Sequence, residues 1–125
     1  MDLTVSSEIR QGVALVTVTG DVDVASAPRL AEHLDRTISA GRTYIVVDLE
    51  GVTFMDSTGL GVLVARLKLL RVLGGSMRAV CTVPRILRLF DITGLDNVLP
   101  IDATLAESIA TVEAALPPRP AGVGE

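Results

Sequence analysis

Asp48-Leu-Glu-Gly-Val-Thr-Phe-Met-Asp-Ser-Thr-Gly-Leu-Gly61 is the stretch whose reading decides the fold. An apolar run, Tyr44 to Val47, leads into it, and a helical pattern from Leu60 to Leu73 leaves it. This order predicts a strand, then a loop, then a helix start carrying a hydroxyl. Ser57 is the expected N-cap, because its side-chain oxygen can accept from the amide of Gly59 or Leu60. Gly59 and Gly61 keep the first turn free of bulk. A helix start of this kind can accommodate an oxyanion or a phosphate. Asp56 stands beside Ser57, however, and no Lys or Arg lies between Arg42 and Arg66. Such surroundings do not attract a free anion. They point to a serine that is modified, with a plain capping serine as the alternative.

Outward from this stretch the pattern continues to alternate between strand and helix. Leu3 to Ile9 alternates, Gln11-Gly12 turns, and Val13 to Thr19 is apolar on both faces, which predicts a hairpin feeding a central strand. Gly20 to Val24 is an acidic turn. Ser26 is expected to cap a helix with Pro28 in its first turn and Ala27, Leu30, Ala31, Leu34 and Ile38 on its apolar face, ending at Gly41. Thr43 to Leu49 reads as a buried strand. The helix after Ser57 has two apolar stripes: Leu60, Leu63, Val64, Leu67 and Leu70, and then Val62, Ala65, Leu69, Val72 and Leu73. It is expected to be buried on more than one side, or else to use the second stripe for docking. Met77 to Val83 reads as a strand, Pro84 to Gly94 as a short helix and Asn97 to Ile101 as a short strand. Asp102 is expected to cap a last helix bearing Leu105, Ile109, Val112 and Leu116. Residues 117–125 have the composition of a disordered tail.

The chain has 125 residues, 49% of them apolar, and a net charge of −4. That is one domain's worth with an ordinary core. With no basic stripe and almost no aromatics, nucleic acid is not an expected partner. No apolar run approaches the roughly 20 residues needed to cross a bilayer, and the first residues lack a signal-peptide pattern. No membrane association and a cytoplasmic location are therefore expected. Cys81, alone and in apolar context, reads as a buried core thiol.

An enzyme would need a base for Ser57. The single histidine, His33, reads as a surface residue of the first helix, and the Gly-x-Ser-x-Gly elbow is absent. Asp21-Val22-Asp23 has the spacing of a phosphohydrolase Asp-x-Asp motif, but Ala25 stands where a hydroxyl is needed. No catalytic residue, metal ligand or cofactor is assigned. Asp48, at a strand end, is expected to bond loop amides. Asp56 is a candidate for orienting Ser57.

Val46-Val47-Asp48-Leu49 with Val52-Thr53-Phe54-Met55-Asp56-Ser57-Thr58-Gly59-Leu60-Gly61 resembles the phosphorylation-site segment of bacterial anti-sigma factor antagonists, the STAS domain family. Gly20-Asp21-Val22-Asp23 resembles the family's turn before its first helix. Leu89-Phe90-Asp91-Ile92-Thr93-Gly94-Leu95 resembles its segment before the last strand. The resemblance spans roughly Leu3 to Leu116. Together with the element order it implies one α/β STAS-like domain over residues 1–116, with a mixed, mostly parallel sheet of about five strands and about four helices mainly on one face. It further implies that the unphosphorylated chain binds an anti-sigma factor that is also a serine kinase, freeing a sigma factor. The kinase would phosphorylate Ser57, or less favourably Thr58, which stands where a second Ser is commoner. A serine phosphatase would reverse this. Asp21, Asp23, Asp56, Ser57, Thr58, Gly59, Leu60 and Gly61 would form the partner surface of a monomer or weak homodimer. The alternative within the family is a STAS-domain subunit of a lipid- or anion-transport complex.

Overall fold

Gln11 and Gly12 take φ of 55° and 80°, and this left-handed pair closes the turn between β1 (Thr4–Arg10) and β2 (Val13–Val22). In the computed structural model, which describes residues 1–118, the chain continues through α1 (Ala27–Ser39), β3 (Tyr44–Met55), α2 (Ser57–Val72), β4 (Ser76–Val80) and α3 (Pro84–Thr93). A 3-10 turn (Leu95–Asn97), β5 (Ile101–Asp102) and α4 (Leu105–Ala114) complete it. Most of the expected tail, residues 119–125, lies outside the described residues.

The five strands lie in chain order, β1-β2-β3-β4-β5. Only β1 with β2 is antiparallel; the other three pairings are parallel. Parallel neighbours need a crossover, and crossovers are right-handed. Because the strands advance in one direction, that rule sends α1, α2 and α3 to the same face. The last helix, α4, follows the final strand, is free of the rule and covers the other face. The larger core joins Val16, Val18, Val47 and Leu49 to Leu30, Leu34, Leu63, Leu67 and Phe90. The smaller joins Val13, Leu15, Val46 and Val80 to Ile109 and Val112. Cys81 is buried, and burial pushes its thiol pKa up.

Several boundaries differ from the pattern reading. The strand expected to stop at Leu49 runs on to Met55, so the supposed loop is largely sheet. The last strand is Ile101–Asp102, because Leu95 and Leu99 turn into the core and Leu99 N–H donates to Leu95 O at 2.8 Å. Asp102 caps nothing. Its carboxylate is buried in a bidentate pair with Arg78, at 2.8 and 2.9 Å. The cap of α4 is Thr104, whose Oγ1 accepts from Glu107 N–H at 3.2 Å. Ser26 sits at the start of α1 but caps no helix amide. Its Oγ accepts from Asp23 N–H and donates to Asp21 O. Finally, α2 is packed against both the sheet and α1, but most of its second apolar stripe is left uncovered. Of its second stripe Val62 is buried, whereas Ala65, Leu69, Val72 and Leu73 are exposed, Val72 by 83%. One face meets the sheet, α1 lies alongside, and no element covers the remaining flank among the described residues.

The Arg78 hydrogen bonds hold the Asp102 carboxyl below its ordinary value. A depressed carboxylate stabilises the fold above its unfolded pKa of 3.8, and that stability is lost as pH falls through the lower folded value. Arg78→Met should therefore destabilise at pH 7, near the low end of the roughly 3–5 kcal/mol typical of a broken buried pair, since Arg78 stays partly exposed. Urea denaturation of the two proteins should show the gap at neutral pH and its narrowing as pH falls through the ordinary carboxylate range toward the lower folded value of Asp102.

Candidate functional site

The C-terminal ends of β2 and β3 carry the residues singled out in the sequence. Asp21 pairs in register with Phe54 and Val22 with Met55. The Thr53 hydroxyl donates to Asp21 Oδ1 at 2.6 Å. Asp56 N–H donates to Val22 O at 3.2 Å. The acidic turn thus lies beside the start of α2. Asp21 also receives the Met1 amino group at 2.8 Å. That bond first, then the one from Thr53, holds its carboxyl below the ordinary value. Asp23 is turned into its own loop, where Oδ1 accepts from Ala25 and Ser26 N–H at 3.0 Å.

The cap of α2 is Asp56, not Ser57. Since β3 stays extended through Met55, Asp56 is the last residue out of the helix, with φ −110° and ψ −172°. Its Oδ1 accepts from Thr58 N–H at 2.9 Å and from Gly59 N–H at 3.3 Å. Ser57 is the first helical residue. It is exposed, and its hydroxyl makes no hydrogen bond to the described residues. Thr58 is exposed next to it.

The two glycines differ in role. A Cβ on Gly59 would lie 2.7 Å from Val22 Cγ1 and 2.9 Å from Met55 Cγ. Its absence lets the first turn of α2 sit against the strand ends. Gly61 is exposed with open space around it. It lies four residues from Ser57 and so on the same helix face, leaving that face bare. Leu60 is buried. With Gly61 and Val64 of α2, and Thr93, Leu95 and Val98 beyond, it lines an open apolar groove.

Pattern reading missed three neighbours. Phe54 is 42% exposed and Val24 71% exposed, a pair of apolar side chains at this end of the sheet. Phe54 was hidden by reading its strand as a loop. Arg85, from the first turn of α3, donates to Thr53 O at 3.3 Å; nothing local in the sequence links it to Ser57. On the same rim Glu50 accepts from Thr82 N–H and hydroxyl, and Asp48, inside the strand and not at its end, accepts from the strand amide of Glu50 at 3.0 Å.

This geometry presents a hydroxyl to which no side chain among the described residues is hydrogen-bonded as a base. The partly exposed His33 meets Ser7 Oγ on β1 at 3.0 Å, and burial lowers its pKa. Among the described residues, no three His, Cys, Asp or Glu side chains group to hold a metal, and no helix is long and apolar enough to cross a membrane.

The family model for the STAS domain matches residues 4–108. The chain belongs to the STAS domain family. The anti-sigma-B factor antagonist of Bacillus subtilis (strain 168) is 38% identical over 103 residues, covering 82% of this chain and 94% of that one. The anti-sigma F factor antagonist of Paenibacillus polymyxa is also 38% identical over 103 residues, covering 81% of this chain and 87% of that one. Among solved structures, an anti-sigma factor antagonist from Mycobacterium paratuberculosis superposes with a TM-score of 0.82 at 30% identity, covering 89% of this chain and 94% of that one. The single α/β domain, its five-stranded mostly parallel sheet and its four helices are those expected of a STAS domain.

Because the STAS helix start is packed at Gly59 and open at Gly61, the two should respond differently to alanine. Gly59→Ala should cost roughly 1–3 kcal/mol by overpacking. Gly61→Ala should be neutral or gain up to about 1 kcal/mol in helix propensity. Thermal melts should show a lowered midpoint for Gly59→Ala and an unchanged or raised one for Gly61→Ala.

Proposed function

We propose that this protein is an anti-sigma factor antagonist whose partner binding is switched off by phosphorylation of Ser57. The observation that carries the reading is the state of Ser57 itself: exposed, released from capping duty, and set on a bare helix face above Gly61. The relatives' names support the partner class. In the unphosphorylated state the Asp21–Asp23 turn, the Asp56–Gly61 segment and the flanking groove meet an anti-sigma factor that is also a serine kinase, so that the sigma factor is released. The kinase transfers the γ-phosphoryl group of ATP to Ser57 Oγ, releasing ADP and the hydroxyl proton. A serine phosphatase hydrolyses the ester again. The names of the relatives at 38% identity favour this reading over the alternative, a subunit of a lipid- or anion-transport complex.

Phosphorylation adds about −1.5 to −2 charges at pH 7. Here that charge joins Asp21, Asp23 and Asp56 on a surface fitted to a small neutral hydroxyl. Moving an equilibrium from 99:1 to 1:99 takes about 5.5 kcal/mol. A desolvated dianion facing a complementary surface is of that order, since even one unpaired buried charge costs several kcal/mol.

Two variants test the switch. Ser57→Ala should bind the anti-sigma factor constitutively and melt within about 0.5 kcal/mol of the native chain, because a surface residue with no cap bond is removed. Ser57→Asp should fold normally and lose binding. Tight binding by Ser57→Asp, or phosphate still incorporated into Ser57→Ala by the kinase, would contradict the assignment. Intact-mass and peptide mapping of protein from its own cells should find one phosphate on the Ser57 peptide.

A further inference from the structure

We propose that Asp56 is a positioning residue for the switch: it occupies the two amides that would otherwise fold a Ser57 phosphate back onto the helix, and so keeps that phosphate projecting outward. This rests on Ser57 as the phosphorylated residue. A phosphate at an ordinary helix start is drawn to the free N–H groups of the first turn, which neutralise part of its charge. Here the Thr58 and Gly59 amides already donate to Asp56 Oδ1. Asp56 is itself pinned, its N–H donating to Val22 O and its carbonyl accepting from Leu60 N–H, both at 3.2 Å. Nor can the turn slide to offer other donors, because Gly59 is wedged between Val22 and Met55.

The remaining charges at this end reinforce the effect. Asp21 and Asp23 lie on the β2 side and Glu50 on the β3 rim. Of the cations, Arg85 of α3 is on the Thr53 carbonyl, the Met1 amino group is on Asp21, and Arg29 of α1 lies on the far side of the Asp21–Asp23 turn. Beyond the N–H of Ser57 itself, a new dianion there is therefore left to water and to the approaching partner. An Asp at the cap thus combines what Ser57 as its own cap could not: it holds the helix start and leaves both the hydroxyl and its later phosphate unsequestered.

The test installs phosphoserine at position 57 during translation, so no kinase is needed, in chains with Asp56, Asp56→Asn and Asp56→Ala. Phosphorus NMR reads the second ionisation of the phosphate, and amide NMR follows Thr58 and Gly59 through the same titration. With Asp56 the midpoint should lie at or above the ordinary value of about 6, and both amides should stay still. Asp56→Asn keeps the acceptor without the charge, so the amides should again stay still and the midpoint should move to about 6. Asp56→Ala frees the amides. Its midpoint should fall by about half a unit or more, since hydrogen bonds to the charged form favour it, and both amides should shift downfield as the phosphate ionises. If the amides of the Asp56 chain follow the phosphate, or if all three chains share one midpoint, Asp56 is only a structural cap and the proposal fails. The Asp56 and Asp56→Asn chains decide the point even if Asp56→Ala folds poorly. A wrong choice of Ser57 as the natural acceptor would appear separately, as phosphate on a different peptide of the cellular protein.

Discussion

Parallel pairing of β2 with β3 sets the geometry of the whole acidic end, and it does so through two slips in register. The ladder shifts between Thr17 and Thr19 and again between Gly20 and Asp21. Each slip places one extra residue on β3. Bulges of this kind bend a strand and strengthen its twist. They bring Thr53 to Asp21, aim Phe54 outward and deliver Asp56 to the Val22 carbonyl. The helix cap, the exposed serine and the close fit of Gly59 all follow from where that bent strand ends.

The same construction explains how a charge change can act without remodelling the fold. Ser57 stands on the first turn of a helix whose inner face, through Leu60, Leu63, Leu67 and Leu70, is embedded in the larger core. Its outer face at Gly61 has no side chain to rearrange. Rigid support beneath and an open surface above confine the consequence of modification to whatever approaches. The exposed end of the second apolar stripe is remote from this point. Val72 lies fifteen residues along α2 from Ser57, about 22 Å at 1.5 Å per residue, so it is no part of the same contact.

Much of this was legible in the sequence, for physical reasons. Core strands and helices announce themselves by period, and the five strands, four helices and their order all emerged from apolar spacing together with Gly and Pro. The caps did not, because Asp, Ser and Thr are all good caps and the choice depends on where the backbone leaves the extended region. Ser57 lost that role to Asp56 because β3 continues through Met55. Asp102 lost it to Thr104 because Arg78, distant in sequence, claims its carboxylate; yet Thr104-Leu-Ala-Glu107 is itself a capping-box pattern. Periodicity showed two apolar stripes on α2 but not which one a neighbour covers. At the site, the Asp-Ser-Thr-Gly segment was readable as a unit. Arg85, Val24 and the outward Phe54 come together only through the tertiary fold.

The brevity of β5 has a consequence for how the molecule opens. It joins the sheet through two residue pairs, Ala79↔Ile101 and Val80↔Asp102, and the Arg78–Asp102 pair is its main side-chain tie. Stability in a small domain is distributed unevenly, and segments with few buried contacts open first. The short β5 is therefore the weakest joint of the sheet, and protonation of Asp102 in acid loosens it further. Backbone amides there should exchange with solvent ahead of those in β2 and β3, and a chain frayed at that edge still displays Ser57 on intact scaffolding.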